Sequence, residues 1–295
     1  MDREVISGVS FTEERPLFGA RHLEVKDCSF DVGESPLKEA SDIKMHGGVF
    51  RWKYPLWYTK NIEVNDVTFE QGARAGVWYG ENLKFKGCHI DAPKEFRKCK
   101  GLTLSDMAIP NAQETLWWCE DVTIDKVSAN GDYFAMGSRD LTVRDLTLTG
   151  NYSFDGCRNL VIEHSRLISK DCIWNCENVE IRDSVIEGEY LAWNSKHVTL
   201  IGCEIKSLQG LCYVEDLKLI DCKLAGSSLC FEYSTVDAVI TDRVESVMNP
   251  SAGKIKVPVI EKLILDPSMI DPKQTVIEAE IKERLDAFDG IIPAE

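Results

Sequence analysis

The chain has no apolar run near the roughly eighteen residues that a membrane-spanning helix needs, so no such helix is expected. Basic residues are too few to balance the acids: 34 Lys and Arg against 49 Asp and Glu leave a formal charge of -15. That field repels polyphosphate, and no cluster of Lys and Arg interrupts it, which argues against nucleic acid as a partner. The N-terminus, Met1-Asp2-Arg3-Glu4-Val5, carries acids where a secretory signal has its apolar segment, so a cytoplasmic location is expected. The 11 cysteines include no Cys-x-x-Cys, and their odd number cannot close a complete disulfide framework. The five histidines are scattered. No phosphate loop, nucleophile triad or metal-spaced His cluster occurs, so no metal or cofactor is implied.

What is present is a repeat. An aliphatic anchor recurs at Leu23, Ile43, Ile62, Leu83, Leu102, Val122, Leu141, Leu160, Val179, Val198, Leu217 and Val236, and the last six steps are each 19 residues long. A second apolar side chain follows two residues on (Val25, Val64, Phe85, Leu104, Ile162, Leu219), which is the alternation of a strand with one face inward. A further pair stands five and seven residues after the anchor, as in Cys28/Phe30 and Leu146/Leu148. Between the pairs sit Asp27, Gly47, Asp66, Gly87, Asp106, Asp145, Asp183, Gly202 and Asp221, with Lys126 and His164 as exceptions. Asp, Asn and Gly tolerate a left-handed bend. Another polar ladder, Asp42, Asn61, Asn82, Asp121, Asp140, Asn159, Asn178 and Asp216, precedes the anchor and marks a second corner.

A third segment precedes each anchor, as in Leu116-Trp117-Trp118 and Leu191-Ala192-Trp193, and reads as a third strand. The pattern predicts an all-β, right-handed, single-stranded parallel β-helix of about twelve coils, each with three short strands. Leucine-rich and left-handed hexapeptide solenoids are excluded by spacing. One domain, 1–295, is expected, with an N-terminal cap at 1–20, coils over 21–241 and a closing segment at 242–295. In that closing segment, Lys256 to Leu265 reads as a strand. Ile277, Ile281, Leu285 and Phe288 form the apolar stripe of a helix from about Gln274 to Phe288. The cysteines fall into columns, Cys28, Cys88, Cys203 and Cys222 after the anchor and Cys99, Cys119, Cys157 and Cys176 before it, where small buried fillers are expected.

Chemistry concentrates on the third segment. Trp57, Trp78, Trp117, Trp174 and Trp193 share the register five residues before the anchor, with Arg97 and Asp155 among them. The register next to it is apolar throughout (Leu56, Val77, Phe96, Leu116, Ile173, Leu211), so it takes the inward face and turns the Trp column outward. An outward Trp column suits stacking on sugar rings, and equally a covered subunit interface. Glu95, Glu114, Asp132, Asp155, Asp171 and Glu189 lie on this surface with Lys94, Arg97, Lys98 and Lys170. Glu114/Asp132 and Asp171/Glu189 have near-matching registers on successive coils, a spacing that suits a glycosidase-type acid pair, and Arg97 suits a base toward an acidic sugar. The candidate catalytic residues are therefore Arg97, Glu114, Asp132, Asp155, Asp171 and Glu189. The candidate ligand-binding residues are Trp57, Trp78, Lys94, Trp117, Trp174 and Trp193. The expected partner is an oligo- or polysaccharide, or else another copy of the chain.

The strings Gly33-Glu34-Ser35-Pro36-Leu37-Lys38-Glu39, Trp52-Lys53-Tyr54-Pro55-Leu56-Trp57-Tyr58, Gly131-Asp132-Tyr133-Phe134-Ala135-Met136 and Phe231-Glu232-Tyr233-Ser234-Thr235 resemble the bacterial family DUF3737, over nearly the whole chain. The resemblance implies a pectin-lyase-like β-helix and brings no catalytic residue with it. Neither the Gly-His-Gly and Arg-Ile-Lys of polygalacturonases nor the Asp-His strand motif of pectate lyases is present, and the fold by itself does not decide function.

Overall fold

Alternating apolar residues pack against their counterparts in the next coil. A computed structural model describes residues 3–286. In it Leu23 and Val25, Ile62 and Val64, Leu102 and Leu104, and Val198 and Leu200 are all buried. The chain is all-β, a parallel β-solenoid of about 15 turns. The number exceeds twelve because both terminal segments also coil. Glu4–Ser7 lies parallel to Arg21–Lys26, with Glu4 opposite Leu23. At the other end Val236 stands opposite Gly253, and Gly253 opposite Thr275. The chain divides into two compact units, Met1–Val161 and Ile162–Glu295.

In the first unit the early coils carry two strands each, for example Lys60–Asn65 with Thr68–Phe69. In later coils the pair merges into one long strand, as in Glu120–Asn130 and Arg139–Thr149. Anchors stand directly opposite one another from Leu23 through Ile43, Ile62, Leu83, Leu102 and Val122 to Leu141. Beside them runs a ring ladder, Phe11, Phe30, Phe50 and Phe69, with centroids 5.0, 4.6 and 4.9 Å apart. These separations are those of neighbouring strands, so identical positions stack like with like. Both corner ladders are left-handed: φ is 48° at Asp27, 56° at Asp66, 53° at Asn61 and 56° at Asn82. Lys126, the residue type that does not suit a bend, takes φ 52° all the same.

The third segment is not a regular strand. Its φ is positive at every other residue, as at Tyr54, Leu56 and Tyr58, then Ala75, Val77 and Tyr79, then Glu114, Leu116 and Trp118. The backbone is nevertheless bonded between coils in alternating directions. The Leu56 N–H donates back to the Pro36 carbonyl at 3.0 Å, and the Tyr58 N–H donates forward to the Trp78 carbonyl at 2.8 Å. Left-handed Val77 is unfavourable for a β-branched residue, and it persists because the coils on both sides over-determine it.

In the second unit Val179, Val198, Leu217 and Val236 stand opposite one another. Ala252–Ile264 includes all but the last residue of the stretch read as a strand, and its Pro258 sits at the register irregularity between Lys256 and Val259, where no ladder N–H is needed. The helix expected from Gln274 is instead a strand, Thr275–Leu285, parallel to Ala252–Ile264. Ile277, Ile281 and Leu285 are spaced by four, which satisfies period two as well as a helical face, and the open strand edge of Ala252–Ile264 decides between them. Phe288 lies outside the described residues.

All eleven cysteines are free and buried. Thiols of the columns donate to carbonyls, Cys99 to Val77 at 2.9 Å and Cys119 to Phe96 at 3.1 Å. Burial pushes Cys172 and Cys212 up to about 12, which keeps them as protonated fillers.

The left-handed corner at Lys126 leads to a test. Replacing Lys126 by Asn, a residue at ease in that conformation, is expected to stabilise the protein by about 0.5–1 kcal/mol in urea unfolding. A loss of stability would show that the Lys126 side chain does more than occupy the bend.

Candidate functional site

The sequence placed the Trp column outward, and the inward register beside it is indeed buried: Leu56, Val77, Phe96, Leu116, Ile173 and Leu211 are at most 1% exposed. The Trp residues themselves are half-buried, because each indole lies over the edge of its own coil and donates its N–H to the next one. In the first unit Trp57 Nε1 donates to the Ala75 carbonyl at 2.6 Å, Trp78 to Lys94 at 2.8 Å and Trp117 to Tyr133 at 2.7 Å. In the second unit Trp174 donates to the Tyr190 carbonyl at 2.5 Å and Trp193 to Gln209 at 2.6 Å. With their edges pinned in this way, the ring faces meet one another. Trp57 stacks on Trp78 at 4.9 Å and 8°, and Trp174 on Trp193 at 5.7 Å and 12°.

Arg97 fills the place between Trp78 and Trp117 where the column lacks an indole. Its guanidinium carbon lies 5.0 Å from the Trp78 ring centroid and 4.2 Å from that of Trp117, a cation held between two π faces. It also donates to Glu114 Oε2 at 2.5 Å, while Lys94 Nζ reaches Glu114 Oε1 at 3.3 Å. Glu114 therefore leans toward the preceding coil. Asp132 leans the other way and accepts from the Asn151 N–H at 2.8 Å, so these two carboxylates are not brought face to face. In the second unit Glu189 pairs with Lys170 Nζ at 2.9 Å, and that contact raises the Lys170 ammonium above its ordinary value. Asp171 is buried, and its N–H donates to the Glu189 carbonyl at 3.0 Å. Asp155, in the first unit, is half-buried in the Trp register and has partners of its own.

Glu95 does not belong to the surface set in which its sequence position put it. It stands two residues before Arg97 and is fully buried. Its Oε1 accepts from the Gly76 N–H at 2.9 Å, and Oε2 finds no partner. A Cβ at Gly76 would come 2.4 Å from that carboxylate oxygen, so the coil beneath must be glycine. Burial pushes the Glu95 carboxyl well above its ordinary value. The Gly76 N–H and Arg97 oppose that shift, and Cys99 adds to it.

A neighbouring column escaped the register argument. Tyr58, Tyr79, Lys98 and Trp118 stand four residues before their anchors. Tyr58 stacks on Tyr79 at 4.8 Å and 6°. Lys98 Nζ lies 5.8 Å from both the Tyr79 and Trp118 rings. Tyr58 and Trp118 remain 45% and 49% exposed, so this is the more open aromatic column of the first unit. The same numbering that aligned the Trp residues was enough to find it. Among the described residues no group of His, Cys, Asp and Glu is placed to hold a metal ion, and no helix is long and apolar enough to cross a membrane.

Stacked coils whose aromatic and charged side chains pair along the stack define a parallel β-solenoid with a self-contacting aromatic side. The model of the family described as "Protein of unknown function (DUF3737)" matches residues 4–278, and the chain belongs to that family. No curated protein matches it. Among solved structures it is similar to PfbA, a surface adhesin of Streptococcus pneumoniae, at 7% identity and a TM-score of 0.42 over 96% of this chain and 84% of that one. It is also similar to QnrB1, a plasmid-mediated fluoroquinolone resistance protein, at 13% identity and a TM-score of 0.19 over 80% and 92%. A third similarity is to HetL, a pentapeptide repeat protein involved in heterocyst differentiation regulation from the cyanobacterium Nostoc sp. strain PCC 7120, at 7% and 0.23 over 77% and 90%.

The raised Glu95 carboxyl makes stability depend on pH with a definite sign. A folded-state value above the unfolded one means that the native protein holds this proton more tightly. Its contribution is therefore complete below the ordinary Glu range and is lost as pH rises through the raised value. Glu95→Gln keeps the acceptor for Gly76 and cannot ionise. Compared with wild type in urea unfolding, it is expected to be more stable in mildly alkaline buffer and to gain little in acid. Parallel pH profiles for the two proteins would refute the assignment.

Proposed function

We propose that this protein is a structural scaffold that acts by assembly or by presenting its side-chain columns to protein partners, rather than a carbohydrate-active enzyme. The observation that carries this reading is how the third-side groups are spent. Indole faces cover indole faces or Arg97, indole N–H groups are committed to carbonyls, and Glu114 and Glu189 are neutralised by adjacent cations. Sugar stacking needs a free ring face, and general acid catalysis needs a carboxyl that can hold a proton within reach of solvent. At Trp78, flanked by Trp57 and Arg97, a saccharide would have to break an existing stack before gaining one. A scaffold, by contrast, needs rigidity along its length, which the stacks supply.

Tryptophan fluorescence titrated with neutral and acidic oligosaccharides is expected to stay unchanged, while Trp117→Ala and Trp174→Ala lower the thermal midpoint. A saccharide-dependent change that disappears in Trp117→Ala would overturn the scaffold reading.

A further inference from the structure

Three strands in the described residues are paired on one side only, among them the short Ser10–Phe11, which pairs with Ser29–Phe30. Glu4–Ser7 pairs with Arg21–Lys26, and Thr275–Leu285 pairs with Ala252–Ile264. Such edges are templates for further strands. Three observations say what would fit them.

Register is the first. Glu4 is in line with Leu23, and Thr275, through Gly253, with Val236, so both edges begin in the anchor register. Setting Thr275 of one copy opposite Glu4 of another places Val276 beside Val5 and Ile277 beside Ile6. Ile281 continues the line Leu224, Val244, Ile260, seven residues after the anchor Leu217, and Phe11 begins the line Phe11, Phe30 at the same offset. Ile281 would therefore land on Phe11.

Exposure is the second. Ile281 is 36% exposed where Val244 and Ile260 of its line are fully covered, and Ile6 and Ile277 are half-buried where Val25 and Ile255 beside them are fully covered. The third is what remains open at each end. Phe11 has Phe30 stacked on one face at 5.0 Å and, among the described residues, no ring on the other. The last coil leaves a cavity of about 960 Å³ lined by Leu263, Leu265, Met269, Ile277 and Ile281.

We propose that copies of this chain associate head to tail, the strand edge Thr275–Leu285 of one accepting the edge Glu4–Ser7 of the next, in the register that already joins successive coils. The contact continues an interface the molecule uses throughout. It is heterologous, so it propagates rather than closing as a twofold dimer. One residue works against it: Glu4 occupies the lumen-facing anchor register and would be covered by Thr275. Burying its charge has a cost that limits the affinity. The proposal rests on the scaffold reading and specifies how the scaffold extends.

The test is sedimentation velocity on the full chain over a wide concentration range. Wild type is expected to form species that grow with concentration, and Glu4→Gln to form them at lower concentration. Ile6→Lys blocks the head, and Ile281→Lys or Ile277→Lys blocks the tail, because these side chains lie in the lumen-facing lines that the next copy would cover; each is expected to remain folded and monomeric alone. A mixture of head-blocked and tail-blocked proteins is expected to give a heterodimer that grows no further, because one intact head and one intact tail remain. Wild type that stays monomeric at every concentration overturns the proposal. So does assembly that appears only when the chain is ended at Asp286, which would mean that its own last residues cover the edge. Wild-type assembly that none of these variants changes sinks the head-to-tail contact and leaves the scaffold reading standing.

Discussion

Each coil must give most of its backbone N–H and C=O groups to the coils before and after it, because within a coil only short turn bonds form, such as the Ala40 N–H to the Leu37 carbonyl. That requirement forces position onto position with a strand-like separation. Everything else in the molecule follows from it. An aliphatic residue at one anchor meets an aliphatic residue at the next, a Phe meets a Phe, and a thiol stands in register with another small side chain. Stabilisation is then a sum of nearest-neighbour terms along the stack, which suits a chain whose coils differ in detail and agree in register.

The same constraint explains how the chemically suggestive residues are used. A side chain in a column has two neighbours at fixed distance, so charges and rings that look available along the sequence are matched in space. Arg97 is the clearest case. As a lone cation in a Trp register it suggests a catalytic base, and in the stack it is the piece that lets Trp78 and Trp117 remain in one column while also neutralising Glu114. Glu95 shows the converse. It is committed on one oxygen and unpaired on the other, in a wall where water does not reach, and so it holds its proton more tightly than a surface acid.

What could be read from sequence followed the residue types that a conformation demands. The left-handed corners were legible because Asp, Asn and Gly recur there, and even Lys126 and His164 adopt the conformation their register dictates. The alternating left-handed backbone of the third segment was not legible. It is built from Leu56, Val77, Leu116 and Ile173, residue types that locally disfavour positive φ, and only the bonds to neighbouring coils impose it. The C-terminal strand was misread as a helix because a spacing of four suits both periods, and the deciding partner, Ala252–Ile264, is not a local signal. The Trp register was placed on the correct face, yet nothing in the numbering says whether an outward indole lies flat to solvent or edge-on. That depends on the neighbouring carbonyl which takes its N–H.

Edge-on presentation has a consequence for recognition. A ring covered on both faces, as Trp78 is by Trp57 and Arg97, offers a rim of C–H groups, and in the first unit Tyr58, Tyr79 and Lys98 form the neighbouring column. Such a rim makes directional polar contacts and modest apolar ones, and lacks the flat platform that binds a pyranose. It is also repeated at the coil spacing, so a partner that matches one rung matches the next with no further adjustment. Another β-solenoid has that repeat, because its coils stack at the same strand separation. Periodicity, more than the identity of any one aromatic residue, is what this surface has to offer.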